Sequence, residues 1–250
     1  MGFYSRNGGF IGTSYVTDNR GVFDIISHQL DIPEAYSPSL VTTNLVLHLD
    51  AGNSSSYGGS GTTWTDLSST GNNGTITGAG YITGGVGGYF DFNGSSDHVR
   101  MDSDMFNPNS DFTVSSWVNT DVTATQTIVS DHLTSGSIQI RFTSSSSVQI
   151  VDNYVVNVGT FSNFTYSTGT WYNVVVTRSS NTYTLYVNGS YKSNFTSTNS
   201  YSYGAQTIGA NNQGIERWNG KISQIACYSR AISSTEVTQN WNVLKSSYGY

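Results

Sequence analysis

The sequence predicts an all-β protein: a two-sheet antiparallel sandwich with one short C-terminal helix and an N-terminal anchoring arm. Three observations carry that prediction. Of 250 residues, 39 are Ser, 30 Thr, 23 Asn and 27 Gly, whereas Leu (9) and Ala (8), which favour helices, are scarce. The 17 Tyr, 11 Phe and 5 Trp suit strands, and they are an apolar load large enough to need a core rather than a disordered chain. From Leu45 onward the apolar residues recur with a period of two, interrupted by turn residues at short intervals.

Residues 1–40 read as an arm and linker, and residues 41–250 as the sandwich domain. The arm opens with a Gly-rich aromatic stretch (Phe3, Tyr4, Phe10, Ile11), continues through Arg20-Gly21-Val22-Phe23, and closes on Pro33 and Pro38. A segment of this length buries no core of its own. It therefore has to dock on its own domain, a sister copy or a larger assembly, and Phe3, Tyr4, Phe10, Ile11, Arg20, Val22 and Phe23 are its candidate anchor contacts.

In the domain, Leu45, Leu47 and Leu49 fall on one face of the first strand. Tyr89–Phe92 and Asp97–Met101 flank the turn Asn93-Gly94-Ser95-Ser96, and strands follow at Phe112–Val118, Ile138–Phe142 and Val148–Ile150. Trp171–Thr177 has too many consecutive apolar residues for a half-wet strand, so both its faces are covered. Tyr183–Val187, Asn188-Gly189 and Ser190–Ser193 give the sharpest hairpin signal. Strands at Gln206–Gly209 and Lys221–Tyr228 complete the set. Ser233-Ser234-Thr235-Glu236 is a capping box, and Val237, Trp241 and Leu244 then recur at helical spacing, ending near Lys245.

Charge and cysteine usage narrow the partners. Ten Lys and Arg against sixteen Asp and Glu give −6, with no basic run to follow a nucleic-acid backbone. The single Cys227 makes no internal disulfide and sits in an alternating stretch as a small buried residue. No segment reaches the length of a membrane span, and Met1–Arg6 lacks the basic start and apolar run of a secretion signal. A surface-type composition of this kind suggests a protein made in a host cytoplasm that works outside after lysis, on the virion surface.

Several stretches, taken in order, resemble a laminin-G-like jelly-roll domain of the concanavalin A-like superfamily. They are Leu47–Asn53, Trp64–Ser68, Gly71–Gly74, Phe92–Val99, Phe112–Val118, Trp171–Val174, Leu185–Gly189, Trp218–Ile222 and Tyr228–Ser233. The Gly/Ser-rich first half is similar to copies found in phage structural proteins, and the Arg20–Phe23 stretch to their lead-in. The resemblance implies two facing antiparallel sheets of about six or seven strands each, a jelly roll. It also implies Trp117 and Trp171 between the sheets, and rim loops that bind glycans, proteins or lipids, in some members with calcium.

A retaining glycosidase needs two carboxylates about 5–5.5 Å apart. Only Glu34, Glu216 and Glu236 exist, no Glu-x-Asp pair is present, and Asp102 and Asp104 fall in a turn-like setting, so no catalytic residue is assigned. The four histidines lack zinc spacing. For a structural calcium the candidates are Asp50, Asp97 and Asp131. For a glycan, the loop 209–218 supplies planar amides, a carboxylate and an indole, giving Asn211, Asn212, Glu216 and Trp218. Tyr201, Tyr203, Tyr248 and Tyr250 are candidates for a subunit interface.

The function expected is a virion structural protein, not an enzyme: a capsid decoration or fibre module attached through its arm. The alternative is a carbohydrate-binding adhesin or tail-fibre tip that recognises a host surface glycan, with a glycoside hydrolase third. The partners expected are capsid or tail subunits, further copies of the chain, and a host glycan, with no nucleic acid and no membrane span. No cofactor is expected beyond a structural calcium.

Overall fold

The computed structural model describes residues 39–131, 137–144, 147–152, 156–202, 204–211 and 215–250, preceded by the backbone of two short strands. The chain divides into two units, Met1–Ser37 and Pro38–Tyr250. In the first, β1 (Phe3–Tyr4) and β2 (Phe10–Ile11) pair antiparallel, with Phe3 opposite Ile11 and Tyr4 opposite Phe10. The anchor candidates Arg20, Val22 and Phe23 lie outside the described residues.

The second unit runs β3 (Leu45–Asp50), β4 (Thr63–Trp64), β5 (Gly74–Thr77), β6 (Gly80–Ile82), β7 (Tyr89–Asn93), β8 (His98–Met101), β9 (Phe112–Thr120) and β10 (Gln126–Asp131). It continues with β11 (Ile138–Phe142), β12 (Val148–Asp152), β13 (Val156–Phe161), β14 (Trp171–Ser179), β15 (Thr182–Val187), β16 (Ser190–Thr196), β17 (Gln206–Ile208) and β18 (Asn219–Tyr228). Sheet I has the order β13-β12-β11-β10-β17-β8-β5-β4. Sheet II has the order β16-β15-β14-β9-β18-β7-β6, with β3 beside the second half of β18. Among the described residues each sheet holds eight strands, rather more than the resemblance implied, because the short strands β4 and β6 extend one edge of sheet I and of sheet II. The architecture is the antiparallel jelly-roll sandwich.

Alternation builds the core between the sheets. Phe112, Val114 and Val118 of β9 and Val174 and Val176 of β14 face Ile138, Ile140 and Phe142 of β11. At the far edge Phe195 packs on Phe161 and lies so close to Gly159 that a Cβ there would meet its ring at 2.4 Å, which closes sheet I onto sheet II. The Asn188-Gly189 turn has φ +53 and +74 at its two central residues, the geometry that Asn-Gly adopts most readily in a tight hairpin.

The helix α1 (Ser234–Leu244) starts as its capping box predicts: Ser233 Oγ accepts from the Glu236 amide and the Glu236 carboxylate accepts from the Ser233 amide. A 3-10 turn, Lys245–Tyr248, follows. Val237 packs with Val41, Val175, Ala226, Tyr228 and Ile232 on the outer face of sheet II. That second core explains the double burial of β14, since Val175 faces the helix while its neighbours face the sandwich.

Two expectations are corrected. Leu45 does not share a face with Leu47 and Leu49, because a bulge at Val46 turns it towards the α1 side. Trp117 and Trp171 do not fill the space between the sheets. Both lie on the outer face of sheet II, where Trp117 stacks on Tyr248 and Trp241, and Trp171 meets Tyr248 edge-on. The alternation of β9 places Trp117 opposite to Val118, and the C-terminal aromatic residues supply the cover.

Candidate glycan-binding face

The candidate site grows from the outer face of sheet I. In β11 the sequence Ile-Gln-Ile-Arg-Phe sends Ile138, Ile140 and Phe142 to the core and Gln139 and Arg141 outward; β12 does the same with Val148, Ile150 and Gln149. The register sets Thr127, Arg141, Gln149 and Thr160 in one row across four strands. Gln149 Oε1 accepts from Arg141 Nε at 3.2 Å and Nη2 at 3.0 Å, while Gln149 Nε2 donates to Thr160 Oγ1 at 2.9 Å. Asn157 Nδ2 donates to the same hydroxyl oxygen at 3.0 Å.

Asn211 and Glu216, from the connection between β17 and β18, lie against this row. The connection leaves the sheet at Gly209, whose φ of +75 and closeness to the Phe92 ring, 2.7 Å from a built Cβ, exclude a side chain. Asn211 Oδ1 accepts from the Ile215 amide at 2.9 Å. Glu216 has φ +55, an uncommon state for a residue that is not Gly, Asn or Asp, and its carbonyl accepts from the Thr127 amide at 2.7 Å. The carboxylate reaches across to β11: Oε1 takes Arg141 Nη1 at 2.8 Å, and Oε2 takes Gln139 Nε2 at 2.7 Å and Asn211 Nδ2 at 3.5 Å. Backbone strain of this kind, about 1–3 kcal/mol, persists where surrounding contacts over-determine it and concentrates at functional positions. Here an ion pair and two amides hold it.

The Arg141 and Glu216 side chains remain 15% and 21% exposed, and Ile215, which precedes Glu216, is 53% exposed. Gln149 is half-buried, and Thr160 and Asn157 are open to solvent. The face therefore offers a planar guanidinium, amides and the Thr160 hydroxyl, with the exposed Ile215 next to Glu216 in the chain. Groups of these kinds make directional hydrogen bonds of the sort that a polyhydroxylated ligand needs.

Of the residues chosen from sequence, Asn211 and Glu216 belong to this face, and Asn212 lies outside the described residues. Trp218 does not belong to it: its side chain is 0% exposed and packs edge-on against Phe142 in the core, so it has no free face for a sugar. Gln139, Arg141, Gln149 and Thr160 were missed. Their signal was the alternation itself, which puts the polar members of β11 and β12 on the side away from the core.

The calcium candidates are separate and engaged. Asp50 accepts from the Gly52 amide at 2.9 Å and Gln224 Nε2 at 3.2 Å; Asp97 from the Asn93 amide and Ser96 Oγ, each at 3.0 Å; Asp131 from the Gly204 amide at 2.9 Å. Among the described residues no three His, Cys, Asp or Glu converge. Tyr201 and Tyr248 are buried and so offer no interface surface, Tyr250 is 48% exposed, and Tyr203 lies outside the described residues. Between α1 and sheet II a crevice lined by His48, Ser115, Gln224, Tyr228 and Asn240 has about 10 Å³ of room, the scale of one water. Burial there lowers the His48 pKa against the opposing pull of Asp50 and Asp66. Among the described residues no helix is long and apolar enough to cross a bilayer.

Comparison with known families agrees with this architecture. The family model Laminin_G_3, of the concanavalin A-like lectin/glucanases superfamily, matches residues 93–238, more than half of the chain. The chain belongs to that superfamily. Among solved structures it is similar to domain 4 of AbnA, an extracellular GH43 arabinanase from Geobacillus stearothermophilus solved with arabinotriose, at a TM-score of 0.63 and 18% identity over 80% of this chain and 99% of that one. The binding domain of Paraclostridial Mosquitocidal Protein 1 aligns at 0.57 and 18% identity, covering 80% of this chain and 52% of that one. Trypanosoma rangeli sialidase aligns at 0.61 and 15% identity, covering 85% of this chain and 35% of the enzyme. This superfamily chain thus spans nearly all of the arabinanase domain but about a third of the sialidase. No curated protein matches its sequence.

Proposed function

We propose that this chain is a non-catalytic glycan-binding module displayed on a phage particle, with its N-terminal unit as the point of attachment. The observation that carries the binding reading is the Arg141–Gln149–Glu216 arrangement: a guanidinium fixed on two sides, in one row with the exposed Thr160 hydroxyl, and with the exposed Ile215 next to Glu216 in the chain. The arabinotriose bound by the similar arabinanase domain supports it by analogy of fold. Glu216 supports a role without catalysis, since both its oxygens accept from Arg141, Gln139 and Asn211 rather than standing ready to protonate a leaving group.

The experiment is a glycan array probed with the purified chain and with Arg141→Lys. The lysine keeps the charge but loses the planar fork, so binding falls while the melting temperature holds. An unchanged array profile counts against this face, and release of reducing ends from a polysaccharide would make the module a hydrolase.

The particle setting rests on the composition, low in charge and rich in Ser, Thr and Asn, and on the division of the chain at Ser37. Removing residues 1–37 leaves a soluble sandwich that no longer joins particles; continued incorporation argues against the anchor. Repeated shell sites also call for symmetric copies of the chain, read by mass photometry on the intact protein.

A further inference from the structure

We infer that the glycan face selects neutral sugars and rejects acidic ones, with Glu216 as the residue that sets this specificity; the inference rests on the glycan-binding reading above.

Arg141 is the one cation in the row Thr127, Arg141, Gln149, Thr160, and a lone guanidinium on a polar face would take a sugar carboxylate or sulfate through two parallel hydrogen bonds. Glu216 occupies that role from within the chain, since its Oε1 sits 2.8 Å from Arg141 Nη1. A second carboxylate brought to the same guanidinium would face the first at short range, where like charges repel and both have lost part of their water.

What remains open is suited to hydroxyl groups. Arg141 uses three of its five N–H groups on Gln149 and Glu216, which leaves one on Nη1 and one on Nη2. Thr160 Oγ1 accepts from Gln149 and Asn157, so its own proton is free to donate outward. Gln139 lies beneath the pair, almost fully buried, and its Nε2 donates to Glu216 and Thr127, so it holds the carboxylate in place rather than meeting a ligand. Donors whose charge is already balanced within the chain are what vicinal hydroxyls of a neutral sugar satisfy.

The left-handed backbone at Glu216 fits this role. A residue at φ +55 that also carries a full charge across to another strand is held there by Thr127, Arg141, Gln139 and Asn211, so its counter-charge is fixed before any ligand arrives.

The test uses the full chain and isothermal titration against a neutral set (arabinotriose, maltotriose, galactan oligomers) and an acidic set (oligogalacturonate, sialyllactose). Wild type is expected to bind within the neutral set only, with affinity changing less than about twofold between roughly 0.05 and 0.5 M sodium chloride. Glu216→Gln keeps the size and the backbone state, frees Arg141, and gains binding to the acidic set by at least about tenfold. The double variant Arg141→Gln, Glu216→Gln removes both charges and gains none; acidic binding gained by the double variant as well would show that the freed guanidinium is not its source and overturns the inference. Wild-type binding to acidic sugars at least as tight as to neutral ones overturns the inference while leaving the binding reading intact. So does a folded Glu216→Gln that gains no acidic binding. A wild type that binds no sugar in either set overturns both.

Discussion

The indole of Trp117 lies flat on the phenol ring of Tyr248, with centroids 3.6 Å apart and planes within 6°. Trp241 stacks on the same indole at 5.3 Å, and Tyr250 reaches back to the Trp171 carbonyl. The last turn of the chain is thus part of the cover of sheet II. Tyr248 also donates to Ser223 Oγ at 2.9 Å, and that hydroxyl donates to the Gly88 carbonyl at 2.7 Å.

Tyr248→Phe keeps the stack and loses that hydrogen bond, so it costs about 1 kcal/mol in urea unfolding followed by tryptophan fluorescence. Tyr248→Ala also uncovers Trp117 and costs about 3–5 kcal/mol. Equal losses in the two variants would mean that the ring contributes nothing.

The Asn188-Gly189 hairpin gives a second test. At Gly189 the backbone has φ +74, and an added Cβ would come within 2.7 Å of the Trp241 ring. Gly189→Ala therefore carries both strain and a displaced indole, and lowers stability by about 1–3 kcal/mol. A variant as stable as wild type would show that the hairpin tolerates a different turn.

Acid should act on the start of α1. The Arg230 guanidinium, donating to both Glu236 oxygens at 2.6 and 2.9 Å, with the Ser233 amide and hydroxyl, lowers the Glu236 pKa from 4.5 to about 2 against the effect of burial. A lowered carboxylate pKa adds stability above the unfolded value and loses it as pH falls through the folded one. Because the pair is partly exposed, the contribution is about 1–2 kcal/mol after screening. The stability gap between wild type and Glu236→Gln is present at neutral pH and closes between pH 4.5 and about 2. A gap independent of pH would assign the effect to the cap geometry alone.

Cys227 is fully buried in the core and burial pushes its thiol pKa upward. Iodoacetamide should leave the folded chain unmodified and alkylate it after unfolding in urea, as read by mass spectrometry. Prompt labelling of the native protein would place β18 in a locally opening region.

The strand periodicity, the Asn-Gly turn and the Ser233–Glu236 box were determined by the sequence alone. Each is a local preference in which backbone sterics or a hydrogen bond three residues away decides the conformation. Glu216 and Asn211 were legible as polar loop residues; Gln139, Arg141 and Gln149 were missed, although the alternation of their strands turns them away from the core. Which face of β9 meets the core, and that the outer one is also covered, was not legible: Trp117 owes its burial to Tyr248, more than a hundred residues away along the chain. The same holds for Trp218, an indole in a sugar-like loop that the packing draws under Phe142 instead. The meeting of Glu216 with Arg141 was decided by tertiary structure too, because β10 separates β17 from β11 in sheet I and the two residues are 75 apart in the chain. Local chemistry sets what a segment can form; the neighbour that completes it is chosen by long-range packing.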